Sequence, residues 1–229
     1  MTDSNSADGV GRPVRRSDAR RNRELLIEAA HEVFTEQGLE APLDVIARRA
    51  GVGNATLYRH FPSRAVLVDA VFHGLLTDTM AVGEQARAVE DAWAGLTGYL
   101  ESVFAGLAAD RGTNDLMTTH LEGVDTLQSV HAHNRETIEL LLRRGRDQGT
   151  VRADVTTEDV LFALAALGRA VPSLAAAAAP DAWRRPLALL LDGLRATPAA
   201  PPLPSPALTQ DQLGDVLRGL GPHRAPPRA

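Results

Sequence analysis

The sequence predicts an all-α protein: an N-terminal three-helix domain built around a helix-turn-helix, followed by a larger helical domain. Three observations predict it. Apolar residues recur at three- and four-residue spacing through most of the 229 residues, the period of a helix with one buried face. Ala and Leu carry most of the apolar mass while aromatics are only 4%, a balance that favours helix. No stretch alternates apolar and polar residues as a half-buried strand does, and no internal repeat is present.

Taken in order, residues 1–16 lack apolar periodicity and read as a flexible basic arm. A first helix is expected to start at Ser17 or Asp18, either of which can cap it, and to stop at Gly38. Leu26, Ala29, Ala30, Val33 and Phe34 give it a buried face. Pro42 suits the first turn of a short second helix with Leu43, Ile46, Ala47 and Ala50 inward. Gly51 to Gly53 make a tight turn, and a third helix covers 54–61. Ser63 caps a fourth helix that reaches the mid-80s. Further helices are expected over 92–109, 114–121, 126–148, from Thr156, and over 180–196. Thr156 with Asp159 forms a variant of the capping box. From Pro198 the chain turns Pro- and Ala-rich; a small helix over 208–220 is expected inside an otherwise disordered tail. The expected organisation is thus an arm (1–16), a helix-turn-helix domain (17–80), a helical regulatory and dimerisation domain (81–197) and a tail (198–229).

Charge narrows the partners. The net charge is −5, but residues 11–64 carry ten Arg against seven acids, so the positive excess sits with the helix-turn-helix. Glu24, Glu28, Glu32 and Glu36 recur every four residues and are expected to share a face turned away from any polyanion. There is no cysteine, so disulfides and thiolate metal sites are excluded. No secretory pattern opens the chain. The most apolar stretch, 161–179, is interrupted by Gly168, Arg169 and Pro172, so no membrane span and a cytoplasmic location are expected.

The string Gly51-Val52-Gly53-Asn54-Ala55-Thr56-Leu57-Tyr58-Arg59-His60-Phe61 carries the chemistry. A short helix in the DNA major groove offers its N-terminal and outward side chains to bases and phosphates. Asn54 has the donor and acceptor pair that fits adenine; Thr56 offers a hydroxyl and a methyl; Arg59 reaches guanine or phosphate. Tyr58 and His60 are polar aromatics beside the buried Leu57 and Phe61. Arg64 can grip a phosphate at the next helix start, Arg48 and Arg49 flank the groove, and Arg20 and Arg23 lie on the first helix near it. Together with Ala47-Arg48-Arg49-Ala50-Gly51-Val52 and with Pro62, Ser63 and Arg64, this string resembles the TetR family of transcriptional regulators over about residues 21–75. The resemblance implies DNA contacts at Asn54, Ala55, Thr56, Tyr58, His60 and Arg64, with Arg59 tuning specificity. Ala55 stands where many members carry Gly or Pro. Asp44, where some carry a basic or polar contact residue, would repel phosphate and is expected to cap the second helix instead.

One helix-turn-helix reads only a few base pairs, so a symmetric homodimer on a palindromic site is expected. Val160, Leu164, Leu167 and Val171, with Leu187, Leu190, Leu191 and Leu194, supply the expected dimer face of a four-helix bundle. A small-molecule pocket within 92–178 is expected to draw on Trp93, Tyr99, Phe104, Met117, His120, Leu121 and Phe162. His131 and His133, two residues apart, fall on different helix faces and make no metal set with His120; no cofactor is expected. The resemblance implies a repressor that a small molecule releases from its operator, and the regulatory half, through 152–160 and its late Leu-rich run, resembles an actinomycete-type branch. No nucleophile elbow, phosphate loop or dinucleotide fingerprint is present, which points away from an enzyme. An architectural DNA-binding protein without an effector, and an activator, are the alternatives.

Overall fold

The computed structural model describes residues 11–118, 121, 123–198 and 200–219, with side chains from residue 17 onward. Among these, ten helices make up the fold: α1 (Gly11–Gln37), α2 (Leu43–Arg49), α3 (Asn54–His60), α4 (Arg64–Ala88), α5 (Ala92–Ala109), α6 (Arg111–Thr118), α7 (Asp125–Asp147), α8 (Thr157–Ala177), α9 (Arg184–Leu194) and α10 (Gln210–Gly219). The all-α expectation holds.

The caps explain most boundaries. The Ser63 hydroxyl accepts from the Val66 amide at the start of α4. Asp91 accepts from the amides of Trp93 and Ala94 at α5, and Thr156 and Asp159 close a reciprocal capping box at α8. Gly38 and Gly51, which end α1 and shape the turn before α3, sit at φ +82° and +68°, a region costly for any residue with a Cβ. Two boundaries differ from expectation. α1 begins at Gly11, ahead of Ser17 and Asp18, so residues 11–16 are helical backbone rather than arm. The Arg-rich stretch propagates helix well, and Pro13 falls in the first turn where it is tolerated. α6 spans Arg111–Thr118 rather than 114–121, because the Asp110 carboxylate accepts from the amide and hydroxyl of Thr113 and starts the helix early.

Two apolar cores stack along the molecule. The first gathers Leu26, Ala30, Val33 and Phe34 of α1, Ile46, Leu57, Phe61, and Leu67, Phe72 and Leu76 of α4, with Leu116 of α6 and Leu127 and Val130 of α7. The second joins Leu96, Tyr99, Leu100 and Phe104 of α5 to Ile138, Leu141 and Leu142 of α7, Val160, Leu164 and Val171 of α8, and Leu187, Leu191 and Leu194 of α9. α4 runs unbroken through residue 80 and enters both cores, contributing Ala86 to the second. It packs most extensively on α7. There the Arg87 Nε donates to the Thr137 hydroxyl at 2.8 Å and its Nη2 to the His133 carbonyl at 3.0 Å. Gly83 permits the approach, since a Cβ there would meet His133 Nε2 at 2.3 Å.

By length and composition α4 and α8 could each cross a membrane, contrary to the reading that no stretch could. Pro172 lies inside α8 without ending it, and Gly168 packs under Leu107. In this fold both helices pack within the bundle: α4 on α1, α5 and α7, α8 on α5, α6, α7 and α10.

Candidate nucleic-acid interface and interior cavity

α3 is anchored by Leu57 and by Phe61 just beyond it, each 1% exposed. A helix turns 100° per residue, so Asn54, Tyr58, Ala55 and Arg59 follow one another around a continuous arc that begins beside Phe61 and reaches the side opposite the anchors at Arg59. All four are exposed, Tyr58 to 53%. Arg59 makes no ion pair among the described residues. Thr56 and His60 lie between the two faces and are half-buried; His60 Nε2 is enclosed with no hydrogen-bond partner among the described residues. The expected base-reading residues therefore divide into an outward set (Asn54, Ala55, Tyr58, Arg59) and a flanking pair.

The expected phosphate-binding arginines are held differently. Arg49 makes a bidentate pair with the Glu36 carboxylate, both bonds 2.8 Å, with Glu32 at 3.6 Å. This drives the Glu36 carboxyl below its usual range and the Arg49 guanidinium above its own. Arg49 thus fastens α2 to α1, and the glutamate face includes the acids that hold it. Arg64 donates through Nη1 to the carbonyls of Leu39 and Ala41, the latter at 2.8 Å. It pins the α1–α2 loop to the start of α4 instead of projecting toward a phosphate. Arg48 stays exposed and pairs with Asp44 at 2.9 Å. Asp44 makes no cap, because Pro42 occupies the N-cap of α2. Arg20 is exposed beside Glu24 at 3.7 Å. The Arg23 guanidinium lies 5.3 Å from the Phe61 ring centroid, so it packs over the end of α3 as a cation on an aromatic face.

A cavity of about 580 Å³ opens between α5, α6, α7, α8 and α10. Its apolar walls include Val103, Leu107, Met117, Leu161 and Leu164, and its polar groups include Thr118, His131, Asn134 and Arg135. Of the residues expected to line a pocket, Met117 does. Tyr99 is core; its hydroxyl donates to Asn134 Oδ1 at 2.6 Å, and burial raises its pKa, keeping it a donor. Phe104 is fully buried and stacks on Trp183 at 5.9 Å. Trp93 lies under the Arg195 guanidinium at 4.8 Å, Leu121 packs on the first core, and Phe162 faces outward, 40% exposed. His120 falls outside the described residues. Tyr99 and Phe104 went to the core because large aromatics bury the most area there.

The residues expected at a dimer face are held largely within the monomer. Val160, Leu164, Val171, Leu187, Leu191 and Leu194 belong to the monomer's second core, and Leu167 and Leu190 pack against it. The exposed stripes are others: Phe162, Ala166, Ala170, Ser173 and Ala177 on α8, and Ala188 and Leu189 on α9, the last 65% exposed. Periodicity marked an apolar face on each helix but not which side the monomer itself covers.

Comparison with known proteins accords with this arrangement. Residues 26–71 match the family model for bacterial regulatory proteins of the tetR family, and residues 91–196 match the C-terminal domain of SbtR-like transcriptional regulators. The HTH-type transcriptional repressor KstR2 of Rhodococcus jostii is 27% identical over 159 residues, covering 69% of this chain and 66% of that protein. An HTH-type transcriptional regulator of Staphylococcus aureus is 43% identical over 53 residues, 23% of this chain. The matched segment is 29% of that regulator's length, so the chain spans less than two thirds of these curated relatives. Among solved structures, a TetR transcriptional regulator of Streptomyces coelicolor is 27% identical with a TM-score of 0.50, over 77% of this chain and 99% of that one. SmeT, the repressor of the Stenotrophomonas maltophilia multidrug efflux pump SmeDEF, is 20% identical with a TM-score of 0.58, over 82% of this chain and all of that one, a likeness of fold. With a helix-turn-helix at 43–60, an outward α3 face and two family matches over 26–71 and 91–196, the chain belongs to the TetR family of DNA-binding transcriptional regulators.

Proposed function

We propose that this chain is a cytoplasmic repressor that binds a palindromic operator as a homodimer and leaves it when a small molecule enters the cavity. The observation that carries the reading is the outward face of α3. Asn54, Ala55, Tyr58 and Arg59 are exposed together, while Arg49 and Arg64 brace the helices that present them. Base contacts fall to Asn54, Tyr58 and Arg59; Thr56, His60, Arg48 and Arg20 flank them toward the phosphates. Two copies join through the exposed stripes of α8 and α9, whose small residues let helices approach closely.

Release follows a physical path. Met117 and Thr118 line the cavity on α6. On the same helix the Asp115 carboxylate accepts from the Leu39 amide at 3.3 Å, and the Leu39 carbonyl is held by Arg64, three residues beyond Phe61. Asn114 ties α6 to the Gly168 carbonyl of α8 at 2.7 Å. A ligand that favours a shifted α6 moves the α1–α2 loop and the base of α4, and so the spacing of the two recognition helices. The cavity's apolar walls and few polar groups fit an amphipathic molecule with one hydrogen-bonding end. Mobility-shift titrations on fragments selected from bacterial genomic DNA test the reading. Discrete complexes that a candidate amphipathic compound dissolves agree with it; complexes that no compound taken up by the cavity alters contradict the release step.

A further inference from the structure

The described part of the tail beyond residue 196 (197–198 and 200–219) is fastened to the body. The SbtR-like match ends at residue 196, yet the chain continues as a strap that leads into α10. The strap is fastened at its start and middle. The Arg152 amide donates to the Leu194 carbonyl and the Ala196 amide to the Thr150 carbonyl, each at 3.0 Å. Arg152 and Asp154 then form a bidentate pair at 2.8 and 2.9 Å. From that pair, Arg152 Nη2 donates to the Pro201 carbonyl and Asp154 Oδ2 accepts from the Leu203 amide, both at 2.9 Å. The prolines between these ties limit the freedom a flexible strap would lose on docking. α10 opens on its own capping box: the Thr209 amide donates to Gln212 Oε1 at 2.9 Å and the Gln212 amide to the Thr209 hydroxyl at 3.2 Å. It then packs on α8 with Leu213 only 2% exposed.

We propose that α10 is a wall of the effector site, supplied by the C-terminal extension, and that its side chains contact the ligand and help select it. This rests on the cavity being the effector site. The cavity measures about 580 Å³ with α10 docked, and Gln210, Asp211, Leu213, Gly214, Leu217 and Arg218 line it. A plug would fill that space; α10 instead encloses it. Leu213 and Leu217 extend the apolar lining from Leu107 and Met117, so the ligand's apolar body lies against them. Gln210 and Asp211 at the start of α10 set the polarity of the end it presents there. On α8 the cavity face and the exposed Phe162–Ala166–Ala170 stripe lie on different arcs, so α10 leaves the proposed dimer stripe open.

The test uses the full chain and N-phenyl-1-naphthylamine, a neutral apolar fluorophore small enough for the cavity. Hydrogen exchange is measured with and without saturating dye. The expected result is slower exchange of the α10 amides in the dye complex. Leu213→Asp, which undocks α10, is expected to weaken dye binding roughly tenfold, and Asp154→Asn, which loosens the strap without touching the cavity, to weaken it less. Both variants are expected to retain DNA binding, which shows that the remainder is folded; should Leu213→Asp not fold, Asp154→Asn carries the comparison. Unchanged or faster α10 exchange with dye bound, or variants that bind dye as well as or better than the parent, overturns the wall. Failure of the parent chain to bind dye at all overturns the cavity as effector site, and the wall with it.

Discussion

Arg49, Arg59 and Arg64 sit within a few residues of the same helix-turn-helix and have three different environments. Only Arg59 points outward from α3 without an ion pair among the described residues. Arg59→Ala is expected to cost about 1–3 kcal/mol of operator affinity and to relax preference at one base position, with the melting temperature unchanged. Arg64→Ala is expected to behave in the opposite sense. Losing its bonds to the Leu39 and Ala41 carbonyls lowers stability by about 1.5–3 kcal/mol, while the salt dependence of DNA binding by the folded fraction stays as in the parent. Thermal melts and anisotropy titrations over a salt series separate the two. Acid reports on the Arg49–Glu36 pair. Because Arg49 depresses the Glu36 pKa, the stabilisation is complete above the unfolded value of about 4.3 and fades as pH falls through the lower folded value. The gap in melting temperature between the parent and Glu36→Gln should therefore hold from pH 8 to about 5 and close below about pH 4. The motif string made α3 legible because its anchors and its outward residues are neighbours in sequence. The partners of Arg49 and Arg64 lie 13 and 25 residues away on other elements, and spacing carries no information about that docking.

At the scale of elements, α4 and α7 each enter both cores, and the two helices pack closely at Gly83. Gly83→Ala would drive a methyl into the His133 ring, so the ring or one of the two helices must move. A loss of about 1–3 kcal/mol is expected in urea unfolding; an unchanged midpoint would show that the His133 ring yields freely. Helix positions were readable from three- and four-residue spacing, and starts from Ser63 and Thr156. α10 was readable only as a weak helix in a loose tail, although Thr209 and Gln212 already spelled its capping box. What composition could not show is that Arg152 and Asp154, some fifty residues earlier, hold the strap against the body. The cavity was the least legible feature. It forms where faces of five helices meet, and the aromatics that look like ligand contacts, Tyr99 and Phe104, are drawn into the core by their size.

For the whole molecule, the division of apolar residues between core and contact decides assembly. Leu191 is 8% exposed and belongs to the monomer core, so Leu191→Arg is expected to unfold the second core rather than to release intact monomers. Leu189, on the open side of α9, is the residue whose change to Arg should yield folded monomers in sizing with light scattering. Folded dimers of Leu189→Arg would move the interface elsewhere. The larger claim is that two copies of the α3 face read one symmetric sequence, and it meets its most direct test in selection. Genomic DNA fragments retained by the purified full-length chain at physiological salt are sequenced, alongside those retained by Arg59→Ala. One enriched motif with two-fold symmetry is expected, its half-sites a helical turn or a multiple apart, degraded within each half-site by the substitution. Fragments enriched without a common motif would contradict it.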